Sequence, residues 1–355
     1  DKLMNSPNNL AHLVGSVPLN SAEEVFCSIC DSLEGHLKRI PDGETGERTN
    51  WIFFQRQMLS QHPAMEHDKT IEKFKFKQWD GKIIREVALL KLKDNFDTNN
   101  LIFPIGYSEH AIKSFKQFNQ LQNEGKIPNN IKFQVSLPTP FATAFNYVSP
   151  NGRDNFIEIY EKSMAIDVQK IIDAIPNNKL AIQWDVCQEV LIFNNYFPNR
   201  SQNYKQEVFD QLARIGNLVP SEVDLGYHIC YGSPGDDHII KPENFSMSVE
   251  FANGIFDNIK RTVEFIHLPG TYGSPDNSFY SPLADLKMPS ECELYLGLLF
   301  YGDPKGDAER ISAARKIIPD FGISTVCGWG RANPERIPSL LKSHKLSFHK
   351  KKSEH

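Results

Sequence analysis

The sequence predicts a parallel (β/α)8 barrel, a TIM barrel, with a β-hairpin insertion, and three observations carry that expectation. Short β-branched or aromatic runs alternate with longer stretches of helical apolar spacing along the chain. At 355 residues and 40% hydrophobic content, the chain can bury one barrel-sized core without disulfides or a structural metal. No Gly-x-Gly-x-x-Gly turn follows its first strand-like run, which counts against an open, doubly wound dinucleotide-binding sheet.

Taken in order, the strand-like runs cover 12–15, 36–40, 101–106, 131–137, 180–185, 225–231, 263–268, 294–301 and 323–327. A closed barrel needs eight, so one of these lies outside it. Helical spacing covers 21–33, 109–122, 153–174, 204–215, 242–260 and 306–318. Ser21 with Glu24 forms a capping-box start for the first of them. Such alternation implies parallel strands joined by right-handed crossovers. Residues 74–92 break the pattern: an Asp80-Gly81 turn between two strand-like arms reads as a β-hairpin. One barrel domain is expected over 1–341, with 342–355 (KSHKLSFHKKKSEH) as a flexible basic tail.

The net charge is −5 and the basic residues are scattered until that tail, so no footprint for a nucleic-acid backbone appears. The polar, Asn-rich start has no cationic and apolar leader pattern, and no apolar run reaches membrane-spanning length. A cytoplasmic protein without a membrane partner is the expectation. Six cysteines spread over so long a chain do not form a disulfide framework of the small-secreted-domain kind; they read as free thiols or metal ligands.

In a barrel every strand C-terminus opens on one face, so residues far apart in sequence converge there. The strand ends carry Ser16; Asp42, Glu44 and Glu47; Asp185; His228 and Cys230; His267; Tyr301; and Cys327. His228 and Cys230 are two apart on one strand and point to the same side. An imidazole and a thiolate facing one point, joined by Cys327 from another strand end, suit zinc, whose catalytic sites take three protein ligands and keep one position open. Ordinary buried thiols are the competing reading for both cysteines. Cys27 and Cys30 sit three apart within the first helix and, with Cys187 and Cys292, read as core. The loops at Gly232–Gly235 and Gly270–Gly273 lack the Lys-Ser/Thr of a phosphate loop and read as mobile substrate loops at the mouth.

These residues carry a resemblance. His228-Ile-Cys230-Tyr231 and Cys327-Gly328 are similar to the zinc-holding strand ends of cobalamin-independent methionine synthase and its shorter single-barrel relatives. Gly15-Ser16-Val17-Pro18, Gly43-Glu44-Thr45-Gly46-Glu47-Arg48 and Gln183-Trp184-Asp185 match three further motifs of that family in the same order. The resemblance implies a methionine synthase/uroporphyrinogen decarboxylase-like barrel. It implies Zn2+ on His228, Cys230 and Cys327, and a thiol substrate whose amino-acid end is held by Ser16, Glu44, Glu47 as its neighbour, and Asp185. The family's fourth ligand is a Glu. Counting points to Glu250, but that residue lies mid-helix, and His267 at the next strand end is the preferred counterpart. Where the family has a proton-donating His, this chain has Tyr301, with packing as its other reading.

The implied activity is methyl transfer to a zinc-activated thiol such as homocysteine from a methyl donor. Thiol addition to another electrophile, such as an epoxide, and a non-catalytic zinc-binding barrel are the alternatives.

Overall fold

The computed structural model describes residues 6–273 and 276–348. Seven strands form one parallel sheet in the order β1 (Arg39–Pro41), β6 (Lys132–Pro138), β7 (Leu180–Val186), β8 (Asp224–Ile229), β9 (Phe265–Pro269), β10 (Glu293–Leu299) and β11 (Gly322–Thr325). The intervening numbers belong to two small antiparallel pairs: β2 (Met65–His67) with β5 (Leu90–Leu92), and β3 (Phe74–Lys77) with β4 (Ile83–Val87). The second pair is the expected hairpin, turning at Gly81 with φ +86°.

The sheet is curled, and the segment 10–17 lies between its two edges. Ala11 N donates to His36 O ahead of β1, while His12 N donates to Ile323 O on β11 and Ile323 N donates to Leu10 O. The pairing is too sparse to make this segment a regular strand, so its carbonyls find side chains instead. Ser324 Oγ donates to His12 O, Gln134 Nε2 to Leu13 O, and Gln183 Nε2 and Ser136 Oγ to Val14 O. A buried carbonyl needs a partner, and here the sheet interior supplies it.

The third strand-like run, 101–106, takes no regular structure. Pro104 has no N–H for a ladder. Instead, Phe103 N donates to Ser163 Oγ and Ile105 O accepts from Gln55 Nε2.

Helices α1 (Ala22–Ser32), α2 (Phe53–Gln61), α3 (Tyr107–Asn123), α4 (Pro140–Tyr147), α5 (Arg153–Ala174), α6 (Gln188–Phe193), α7 (Tyr204–Asn217), α8 (Ser246–Asn258), α9 (Asn277–Tyr280), α10 (Pro304–Arg315) and α11 (Ile337–Ser347) connect and cover the strands. Ser21 caps α1 as expected, accepting from Glu24 N. The largest cluster of buried apolar side chains reaches from Ala11 to Leu341. Helix α11 runs past 341 to Ser347 and buries His344. Residues 349–355 of the expected tail lie outside the described residues. Among the described residues, no helix is long and apolar enough to cross a membrane.

Register positions the site. Asp185 on β7 pairs with His228 on β8, and His228 with His267 on β9. Register partners in a parallel sheet face the same side, so this row and Cys230, two residues beyond His228, share one face.

At the opposite ends of the strands Arg39 is buried. It reaches Asp224, the first residue of β8, at 2.8 Å and Glu293, the first of β10, at 2.9 Å. Lys132 adds a second contact to Asp224 at 2.8 Å. Burial pushes the Asp224 carboxyl up, but Arg39 and Lys132 more than offset it and hold the group below the usual aspartate range. Replacing Arg39 by Met leaves the acids short of a cation, and removing one partner of a buried ion pair costs about 3 kcal/mol or more. Urea unfolding of Arg39→Met should show that loss; a midpoint matching wild type would mean that the network holds nothing together.

Candidate metal centre and substrate cavity

His228, Cys230 and Cys327 are brought together as expected: one ligand atom from each lies within 4.8 Å of the others. The two thiol sulfurs are 3.8 Å apart. That is far beyond a disulfide bond, at about 2.05 Å. It equals the separation of two sulfurs each about 2.3 Å from a tetrahedral ion, roughly 3.8 Å.

The imidazole orientation follows from its neighbours. His267 Nε2 lies 2.8 Å from Thr325 O, a carbonyl that can only accept, so that nitrogen carries the proton. Burial, with His228 and His12 nearby, holds the His267 imidazole well below its usual pKa and therefore neutral. Its Nδ1 is then an acceptor, and His228 Nδ1, 2.8 Å away, donates to it. His228 Nε2 is left with a lone pair, buried and without a hydrogen-bond partner. A buried nitrogen lone pair beside two sulfurs is what a zinc ligand requires, so the donor set fits the metal.

Cys230 donates to Cys327, whose thiol is held well below its ordinary pKa by that bond and, against burial, by Arg331. Arg331 Nη2 lies 3.4 Å from Cys327 Sγ and also donates to Ser233 Oγ at 3.0 Å.

A cavity of about 310 Å³ is lined by this trio together with Ser16, Glu44 and Asp185. Ser16 is enclosed by the 328–330 turn: Trp329 N donates to Ser16 O and Gly330 N to Ser16 Oγ. A Cβ at Gly328 would collide with that hydroxyl, which explains the glycine after Cys327.

Glu44 sits in the left-handed region at φ +50°, a conformation costing about 1 to 3 kcal/mol for a residue with a side chain. Asp42 holds it there. One oxygen of Asp42 accepts from Glu44 N at 2.9 Å, and the other accepts from Arg48 and Ser114. Glu44 is pushed up to about 7 by burial, with Asp42 also raising it. Asp185 is raised well above the carboxylate range by burial and by Glu44, against hydrogen bonds from Gln183 and Trp51. Two buried acids that resist ionisation together form a receptor for a cation.

Three expected site residues, and Glu250, which was set aside in favour of His267, stand elsewhere. His267 lies behind His228 rather than in the trio, because both its ring nitrogens are engaged. Glu250 is on α8 and pairs with Lys205 at 2.5 Å. Glu47 is exposed and meets His110 at 2.5 Å instead of facing the cavity. Tyr301 is 48% exposed, has Arg336 over its ring at 4.4 Å and does not line the cavity, so its packing reading describes the observed contact.

Among the lining residues that the sequence reading did not place at the site are Cys187, Arg85 and Arg331. Cys187 follows Asp185 by two residues, so strand parity could have found it; Arg331, four residues past Cys327, shares a turn whose path only tertiary packing defines. Of the two glycine loops, 232–234 lines the cavity; residues 270–273 do not, and residues 274–275 are outside the described residues.

No protein-family model and no curated protein matches the sequence. Solved structures do. A B12-independent methionine synthase from Shewanella sp. W3-18-1, in complex with selenomethionine, aligns over 96% of this chain and 97% of its own with a TM-score of 0.57 and 13% identity. A putative vitamin-B12 independent methionine synthase from Listeria monocytogenes aligns over 94% and 95% with a TM-score of 0.54 and 15% identity. The fold that this chain shares with both is the methionine-synthase-like barrel.

Proposed function

We propose that this chain is a zinc-dependent thiol alkyltransferase of the methionine synthase type, methylating a thiol such as homocysteine in a single closed (β/α)8 barrel whose eighth position is the segment 10–17. The observation that carries this reading is the sharing of one cavity by the His228–Cys230–Cys327 trio and the Glu44–Asp185 acid pair. The fold is held in common with methionine synthases, one of which was solved with selenomethionine, an amino acid whose selenium stands where methionine has sulfur.

His228 Nε2 and the sulfurs of Cys230 and Cys327 would hold the zinc. When bound, zinc supplies a Lewis acid that keeps a substrate thiol deprotonated near neutral pH, where a free thiol with a pKa of about 8.5 is mostly protonated. Glu44 and Asp185 receive the substrate ammonium, which favours their charged forms and removes their mutual penalty. Ser16 Oγ accepts from Gly330 N, so its own proton is available to the substrate carboxylate. Together these contacts place the sulfur at the trio, and positioning of this kind accounts for much of the acceleration in two-substrate reactions. Six free cysteines suit a reducing compartment, the cytoplasm.

Purified protein should contain stoichiometric zinc, and Cys327→Ser should lose it; a variant with full metal content would remove Cys327 from the site. His267→Phe should retain zinc about 10- to 100-fold more weakly, read by chelator competition, because the partner that orients His228 is gone. With cobalt in place of zinc, homocysteine should change the visible spectrum, whereas a closed structural or storage site should stay silent. Glu44→Gln or Asp185→Asn should weaken the homocysteine response about tenfold while sparing the deamino analogue. Turnover with methyltetrahydrofolate or methylcobalamin tests the complete reaction.

A further inference from the structure

Several arginines of low exposure are matched with acids: Arg39 with Asp224 and Glu293, Arg48 with Asp42, and Arg310 with Asp303 and Asp307. Arg331, which lines the cavity, is matched with sulfur. Its Nη2 donates to Cys327 Sγ at 3.4 Å, to Ser233 Oγ at 3.0 Å and to Gly328 O at 3.5 Å. Among the described residues no carboxylate forms an ion pair with it; Asp236, on the loop that carries Ser233, pairs with Arg336 at 3.7 Å instead. Its Nε is buried and has no hydrogen-bond partner. The guanidinium is thus held from two directions, by the turn after Cys327 and by the loop after Cys230. Arg85, the other arginine of the lining, donates to Asn146 Oδ1 and lies over the Phe76 ring, away from the sulfurs' hydrogen bonds. Asn50, Asn146 and Gln188 add amides to the lining but no charge.

A cation on one of the sulfurs bears on what can join them. His228 offers a lone pair and adds no charge, so a divalent zinc held by it and two thiolates is neutral as a group. No further acid completes the trio: Glu250 is held by Lys205, and His267 has both nitrogens engaged. An entering substrate thiolate therefore brings one negative charge, and an unbalanced charge in a buried site is costly. A thioether entering the same position brings none. Alkylation interconverts the two, since the bond from sulfur to carbon forms as the donor's leaving group departs with its electron pair, and the anionic sulfur becomes neutral. A guanidinium hydrogen-bonded beside that position offsets the charge of the first ligand and gains nothing from the second.

We infer that Arg331 is a positioning and specificity-determining residue: through its hydrogen bond to Cys327 Sγ it supplies the positive charge that lets the trio accept a thiolate, and it makes the site prefer the substrate thiol to the thioether product. The inference rests on the alkyl-transfer reading and deepens it. One contact both favours binding of the thiol and works against retention of what the thiol becomes.

The test uses the full chain as wild type, Arg331→Gln and Arg331→Lys, loaded with zinc for calorimetry and with cobalt for spectra. Homocysteine and methionine are the probes; they differ by one methyl on sulfur and share their ammonium and carboxylate. Wild type should bind homocysteine more tightly than methionine. Arg331→Gln should lose about tenfold or more of that preference, through weaker homocysteine binding at unchanged methionine binding, and Arg331→Lys, which keeps the charge, should retain part of it. Before any thiol is added, the thiolate-to-cobalt charge-transfer band should move to lower energy in Arg331→Gln, because a hydrogen bond to a ligand sulfur is gone; a band that stays in place overturns the inference. An unchanged preference in Arg331→Gln overturns it as well and leaves the alkyl-transfer reading standing. Equal weakening of both probes would assign Arg331 to their shared carboxylate, and loss of metal from both variants would make it part of the scaffold; either result overturns the inference. If the wild-type cobalt form is silent to homocysteine, the alkyl-transfer reading falls and takes the inference with it.

Discussion

The hydrogen-bond relay from Thr325 O through His267 to His228 is the constraint on which the candidate site turns. It crosses from β11 to β9 to β8, so it exists only because the curled sheet brings these strands around one interior. The carbonyl sets the tautomer of the first imidazole, which sets that of the second, and the last nitrogen is left with its lone pair toward two sulfurs. Desolvation enforces the chain of consequences: burial, with His228 and His12 nearby, keeps the His267 imidazole neutral.

A second constraint is the incomplete pairing of segment 10–17. A regular strand would satisfy its own carbonyls; this one borrows Gln134, Ser136, Gln183 and Ser324. Gln183 Nε2 also donates to Asp185 Oδ1 at 2.9 Å, so the group that holds this segment in place aims one of the cavity acids as well. Ser16 lies at the end of the same segment, clasped by the glycines that follow Cys327. The first and last parts of the chain thus build one wall of the cavity together. Strain at Glu44 belongs to the same design, since Asp42 and its partners hold a side chain where the backbone alone would not place it.

Much of this was legible in the sequence. Strand parity paired His228 with Cys230, and the alternation of short apolar runs with helical stretches predicted a parallel sheet with its functional residues at one end. Local patterns decided these features: period two along a strand, Ser21 capping a helix, Asp80-Gly81 turning a hairpin. Even one error was visible in advance, since Pro104 argues against a strand at 101–106.

The remainder depended on distances across the interior. The sequence by itself determined which residues stand at strand ends. Only the tertiary structure decided which of them face the cavity, because that depends on the sheet's curl and on competing partners. His267 is a fully adequate ligand type at an adequate position, yet both its nitrogens are taken; Glu47 and Tyr301 face outward to His110 and Arg336; Arg85 arrives from an insertion that shares no period with the barrel. A side chain's chemistry is local, but its partner is chosen by packing among residues far away in the chain.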